Sequence, residues 1–200
     1  MKLSAQSKAD KRQAILDAAL RCFSRDGFHA TTTGDIVREA GVSQGALYLY
    51  FRSKDELILA LADDRRRSDA LIAVLVAHED DPLRGVTELM ELYGRSLIDP
   101  QTREIRRVAV QGWAEALRSE AIRDQTLRAI AEVRGLIVET IRKGQESGLF
   151  RAEVSAAALA DILIAAFNGL TLRTAWGEAL DLEPVGQTLA EMIRRLLLPS

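Results

Sequence analysis

Apolar residues recur along most of the chain at three- and four-residue steps, and no alternating stretch is long enough to predict a sheet strand. Ile15, Ala18, Ala19, Cys22 and Phe23 lay one stripe along a first helix expected to stop at Gly27. Thr32 with Asp35 has capping-box spacing and opens a short helix that Gly41 terminates after Ala40. Ser43 caps a second short helix running through Phe51. Ser53 with Glu56 makes a further box, starting a helix with Leu57, Leu61 and a solvated run of Arg65, Arg66 and Arg67.

Asp80-Asp81-Pro82 and Asp99-Pro100 punctuate the next part, bounding a helix that carries Met90 and Tyr93. A helix from about Glu104 to Leu117 carries Trp113. A longer one shows Leu127, Ile130, Val133, Ile137 and Ile141 before Gly148. The clearest stripe is Leu159, Ile162, Leu163, Ala166, Phe167 and Leu170. Pro184 precedes a last stripe of Leu189, Met192, Ile193, Leu196 and Leu197. The pattern predicts an all-α fold of nine helices.

Composition narrows the chemistry. At 200 residues and 48% hydrophobic content the chain can bury a sizeable core. No N-terminal apolar stretch has signal-peptide length, and the most apolar helix is interrupted by Asp161 and Asn168, so the expectation is a soluble cytoplasmic protein with no membrane partner. Cys22 is the single cysteine and sits on a core stripe, which excludes an internal disulfide. With His29 and His78 as the two imidazoles, no metal site or cofactor is expected. The formal charge of −2 argues against a nucleic-acid partner until the chain is divided. Residues 1–54 hold nine Lys and Arg against five Asp and Glu, a surplus of four positive charges, whereas residues 55–200 hold eighteen against twenty-four.

The basic quarter contains two short helices joined by a turn with Gly41, the arrangement of a helix-turn-helix whose second helix enters the DNA major groove. Leu47 and Phe51 share one face and can pack on Ile36 and Val42. Gln44 and Tyr48 share another. Gly45 and Ala46 give clearance, Gln44 can pair with adenine, Leu49 can meet a thymine methyl or sugar, and Tyr48, Tyr50 and Lys54 can reach phosphates. Spacing alone leaves ordinary core packing equally open.

The run "ILDAALRCFSRDGFHATTTGDIVREAGVSQGALYLYFRSKDELILAL" resembles the N-terminal domain of TetR/AcrR-type transcriptional regulators over roughly residues 11–61. The matching elements are Gly27-Phe28, Thr32-Thr33, Ile36, Ala40-Gly41-Val42-Ser43, Leu47-Tyr48-x-Tyr50-Phe51 and Lys54. The resemblance implies a three-helix DNA-binding head, residues 1–52, on a helical body, residues 53–200, that dimerises and holds a small molecule. It also implies DNA contacts at Thr33, Gln44, Tyr48, Tyr50 and Lys54. With the readings above, the expected DNA surface is Thr33, Ser43, Gln44, Gly45, Ala46, Tyr48, Leu49, Tyr50 and Lys54. Gly34 departs from the family pattern, where a longer polar or basic side chain is frequent.

In the body, "QGWAEALRSEAIRDQ" and "GLFRAEVSAAALADILIAAFNGL" are similar to a C-terminal subgroup that includes repressors of osmoprotectant and efflux genes. The fold implied by the resemblance dimerises through its last two helices. Ala156, Ala157, Ala160 and Ala165 would allow close approach and the final stripe would supply apolar area. Met90, Tyr93, Gln111, Trp113, Phe167 and Asn168 are the candidate ligand wall, mixing aromatic surface with polar groups. The expected function is repression: a homodimer binds a palindromic DNA operator, and a small-molecule effector releases it by tilting the helix that begins at Ser53. An enzyme is disfavoured by the lack of a nucleophile-base pair or phosphate loop. A helical binding module that does not read DNA is the alternative.

Overall fold

The computed structural model describes residues 5–62, 73, 74, 77, 78 and 80–199, and the Arg65–Arg67 run lies outside them. Among the described residues are nine α-helices and one 3-10 turn, with no strand. They are α1 (Ala5–Ala30), α2 (Thr33–Ala40), α3 (Gln44–Tyr48), α4 (Lys54–Ala62), α5 (Pro82–Ile98), α6 (Arg103–Glu115), α7 (Glu120–Glu146), α8 (Ala156–Ala175) and α9 (Leu182–Leu197), with the turn at Pro100–Thr102. The all-α expectation holds. Two boundaries differ. Gly27 interrupts α1 rather than ending it, because the chain resumes helical geometry on the far side. The helix after Ser43 stops at Tyr48, not Phe51.

The helices group into two compact units. One contains α1 to α4 together with Arg107–Thr126, and the other contains the described residues of 65–106 and 127–200. A division after residue 52 therefore cuts through a unit, because Leu57 and Ile58 of α4, Val108 of α6 and Ile122 of α7 lie in the same core as α1, α2 and α3.

The first unit's core is built from Ile15, Ala18, Ala19, Cys22 and Phe23 of α1, with Ile36, Leu47, Phe51 and Leu57 driven against them, all at most 1% exposed. Burial of each large side chain contributes about 1.5–3 kcal/mol, enough to hold helices as short as α3, which would not persist alone. Phe23 and Phe28 meet edge to face, their centroids 4.9 Å apart.

In the second unit α5 packs on α8 and α9. Its core takes Val86 and Leu89 from α5, Ile137, Val138 and Ile141 from α7, Leu159, Ala160 and Leu163 from α8, and Ile193 and Leu197 from α9. Arg106, 5% exposed, donates from Nη1 to Ser96 O and to Thr102 Oγ1, both at 2.6 Å, so a cation closes the carbonyl end of α5. Gly148, at φ +73°, turns the chain after α7. The Gln145 amide then secures the loop by donating to Arg151 O and Val154 O at 2.9 and 2.7 Å.

That turn lays Phe150 directly on the backbone of Gly144, where an added Cβ would come within 2.1 Å of the ring. Phe150 is 2% exposed and cannot swing into solvent without vacating the core. Gly144→Ala is expected to lower stability by about 1–3 kcal/mol through overpacking. Gly135→Ala, on the same helix with nothing within 4 Å of its Cβ, should instead be neutral or stabilising by up to about 1 kcal/mol. Urea midpoints of the two variants check the contrast.

Candidate nucleic-acid interface

Thr32 Oγ1 accepts from Asp35 N at 3.2 Å while Asp35 Oδ2 accepts from Thr32 N at 3.0 Å, so the capping box that opens α2 is complete. The hydrogen bonds from Thr32 hold the Asp35 carboxyl below its ordinary range, with Arg38 adding to the effect. Gly41 terminates α2 in the left-handed region at φ +65°, a conformation that favours glycine. Ser43 starts α3 by accepting from Ala46 N at 3.2 Å, so its hydroxyl is occupied in capping. Leu47 and Phe51 point into the core with Ile36, and Val42 packs at its edge.

This leaves an outward face. Gln44, Gly45, Tyr48 and Leu49 are exposed, Leu49 at 83%, and Ala46 is half-buried. A Cβ on Gly45 would meet nothing within 4 Å, so open space stands before the helix. Gln44 Nε2 donates to Thr33 Oγ1 at 3.2 Å, joining the start of α3 to the start of α2. Hydrogen bonds from Thr33 and then Gln44 push the Tyr48 phenol below its ordinary pKa. Thr33, Gln44 and Tyr48 thus form one polar group on the outward face. Gly34 is exposed too, with only Thr32 Oγ1 near a would-be Cβ at 3.5 Å, so space does not demand a glycine there.

Two of the expected DNA contacts also make contacts within the protein. The Tyr50 ring is half-buried against the core. Lys54 Nζ turns inward and donates to Phe28 O at 2.6 Å and Thr31 O at 3.1 Å, with His29 O at 3.4 Å. An ammonium has three protons, and these carbonyls account for them. Lys54 thus caps the end of α1 in this structure.

Gln111 also changes role. At Gly27 the backbone takes φ +84° and ψ 164°, which breaks the helical hydrogen-bond ladder of α1. The Gln111 side chain bridges the gap, with Nε2 donating to Phe23 O at 2.9 Å and Oε1 accepting from Phe28 N at 3.0 Å. Both ends of the amide make hydrogen bonds within the first unit, so Gln111 has a structural role there. Trp113, half-buried, belongs to the first unit as well. Met90, Tyr93, Phe167 and Asn168 lie in the second unit, where Tyr93 and Phe167 stack with centroids 4.2 Å apart and planes 28° from parallel. Met90 packs on the same core, and Asn168 is half-buried. No cluster of three or more metal-ligating side chains occurs among those residues.

Comparison with known proteins agrees with this geometry. Residues 15–61 match the family model for bacterial regulatory proteins of the tetR family, and residues 87–198 match the BetI-type transcriptional repressor C-terminal model. The chain is 31% identical over 157 residues to the HTH-type transcriptional regulator TtgR of Pseudomonas putida, covering 75% of each chain. It is 29% identical over 180 residues to an HTH-type transcriptional repressor of Mycobacterium tuberculosis, covering 88% of this chain and 89% of the other. Among solved structures, a transcriptional regulator from Saccharomonospora viridis in complex with choline superposes with a TM-score of 0.80 at 28% identity, over 96% of this chain and all of that one.

Gln111→Ala removes the partners of Phe28 N–H and Phe23 C=O and should lower stability by about 2 kcal/mol in urea. The Phe28 amide should lose its protection in native-state hydrogen exchange, whereas a residue that served only a ligand would leave that amide unchanged. Lys54→Met is expected to destabilise by about 1.5–3 kcal/mol, as loss of charge-assisted bonds does, measured the same way.

Proposed function

The chain belongs to the TetR family of bacterial regulatory proteins, and from that footing we propose that it binds a palindromic operator as a homodimer and is released by a small organic effector. It is a ligand-responsive transcriptional regulator of the repressor kind. The observation that carries the finer reading is the outward face of α3, where Gln44 and Tyr48 are exposed and tied to Thr33 above a fully buried Leu47. That face can enter a major groove without unpacking the head. A head of this size reads one half-site, so specific binding requires two heads roughly 34 Å apart or a multiple of it.

Two helices offer the second copy a surface. On α8, Ala158, Ile162, Ala165 and Gly169 are exposed at steps of four, three and four residues, with Ile162 at 61%. On α9, Val185, Met192 and Leu196 are exposed beside half-buried Leu189. The alanines sort differently from the sequence reading: Ala156 and Ala160 fill the second unit's own core, Ala157 packs at its edge, and Ala165 stays outside. Ile193 and Leu197 are core as well. The exposed strips are small and apolar, as a closely packed isologous bundle requires.

The effector reading rests on Tyr93, Phe167, Met90 and Asn168, which join stacked aromatic surface to a half-buried amide. The choline held by the Saccharomonospora viridis relative is a small organic molecule of the kind this reading requires. Effector and operator are coupled by about 1–3 kcal/mol, which is ordinary for such a link. The helix that starts after Ser53 carries part of that coupling, because Lys54 at its first position grips the end of α1. Helix α6 carries another part through Gln111. The protein acts in the cytoplasm, where operator DNA is accessible.

Operator fragments selected from genomic DNA provide the test. Gln44→Ala and Tyr48→Ala should each weaken operator binding by about 10- to 100-fold while leaving effector binding intact. Failure to select any fragment would favour a binding module that does not read DNA, and wild-type operator affinity in both variants would remove Gln44 and Tyr48 from the reading face. Ile162→Asp combined with Met192→Asp is expected to convert the dimer to monomer in sedimentation velocity and to abolish operator binding, with the helical circular dichroism retained.

A further inference from the structure

We propose that the exposed basic face of the first turns of α1, formed by Lys8, Lys11 and Arg12 and continued by Arg52, is a phosphate-binding surface that carries the electrostatic share of DNA binding. The proposal rests on the family's DNA-binding role and goes beyond the helix-turn-helix, because these α1 residues precede the matched region, which begins at residue 15.

The argument starts from where the head's positive charges are used. Helix α3 holds no basic residue in its last turn, and none occurs anywhere in Gln44–Tyr48. The one cation of α2, Arg38, lies 3.1 Å from Asp35. On α1, Arg21 pairs with Glu39 at 2.7 Å and Arg25 pairs with Asp26 at 2.9 Å, with Glu39 also nearby. Lys54 is spent on the carbonyls at the end of α1. The surplus positive charge read from the sequence is therefore not on the reading helix. Duplex DNA is a polyanion whose non-specific affinity comes from neutralised phosphates, so those cations must be elsewhere.

Lys8, Lys11 and Arg52 are exposed and have no acidic partner among the described residues. Lys8, Lys11 and Arg12 follow one another at i, i+3 and i+4, which places them on one face of α1. Asp10 lies two residues from both Lys8 and Arg12, on the far side of the helix. The position of that face relative to the reading helix is fixed by one contact: the Arg12 guanidinium lies over the Phe51 ring, 5.1 Å from its centroid. Phe51 comes three residues after the end of α3 and immediately before Arg52. The basic strip consequently flanks the C-terminal end of the reading helix, where the backbone leading away from a half-site would pass. The occupant with matching charge is the phosphate backbone of that same duplex.

Lys8→Ala/Lys11→Ala tests the proposal in the full-length protein, with affinity for operator and for a scrambled duplex measured between 50 and 200 mM salt. Removing two phosphate contacts should make the log–log salt dependence shallower by about 1.8, so the wild-type protein loses about 12-fold more affinity than the variant across that range. Operator and scrambled duplex should weaken by the same factor, leaving their ratio unchanged, and Lys8→Arg/Lys11→Arg should restore the wild-type slope. An unchanged slope in a variant that still binds overturns the basic strip and leaves the regulator reading standing. A change confined to the operator-to-scrambled ratio overturns it too, because it would make these lysines base readers. A wild-type protein that binds neither duplex would remove both readings together.

Discussion

The DNA-binding head depends on a single backbone defect, the break at Gly27. A φ of +84° is available to glycine and strains other residues, and space is not the constraint, since an added Cβ would come no nearer than 3.7 Å to Gln111. Beside the break lie a carbonyl at Phe23 and an amide at Phe28 in a packed region, where unsatisfied backbone groups are costly. Gln111 takes both, and Lys54 collects the carbonyls that follow. The result is that α1, α4 and α6 are pinned at one spot by side chains from residues 26 and more than 80 positions away. Phe28 can then fold back edge-on against Phe23. The reading helix is placed by this arrangement as much as by its own short turn, because its core residues Leu47 and Phe51 pack on the α1 segment that the break terminates.

How much of this was legible in the sequence follows from the range of each interaction. The Thr32–Asp35 capping box, the Gly41 stop and the paired core positions Leu47 and Phe51 are local signals that appear in the structure, whereas the Ser53–Glu56 box is half made: Glu56 N donates to Ser53 Oγ, but the Glu56 carboxylate accepts from Arg52 N. The inward bonds of Lys54 are not legible locally, because a lysine after a helix-turn-helix looks the same in sequence whether it faces a phosphate or a carbonyl. Gln111 reads in the sequence as a polar candidate for the ligand wall, yet its partners are 83 and 88 residues away, and nothing in the local pattern names them. Ile162 and Leu163 form one apolar run, but only Leu163 reaches the core, since adjacent helical residues point about 100° apart. Continuous apolar runs hide the boundary between a core face and an outer one.

In the proposed arrangement the head divides its chemistry between a reading surface and a holding surface. Thr33, Gln44 and Tyr48 are polar and uncharged, suited to discriminating base edges and sugar positions, and their mutual hydrogen bonds reduce the freedom lost on docking. Arg38 and Arg21 of the same head are ion-paired with Asp35 and Glu39. Keeping the reading helix free of unpaired charge limits its attraction to any phosphate backbone, which would otherwise raise affinity for every sequence alike. In the proposed arrangement the flanking strip on α1 supplies that attraction from outside the groove.

The two last helices impose a matching constraint on the body. By length and composition alone α8 is apolar enough to cross a bilayer. It carries Asp161, however, ion-paired with Arg134 at 2.6 Å, and it buries Leu159, Ala160 and Leu163 on one side. The other side presents Ala158, Ala165 and Gly169 around Ile162, residues that permit close backbone approach and add little area on their own. Such a face gains most from a rigid partner of the same shape, and a two-fold axis supplies one because each strip then meets its own copy. In the proposed dimer that same axis relates the two reading helices. The symmetry of the operator is then set by the unfinished surface of α8 and α9, far along the chain from the residues that read it.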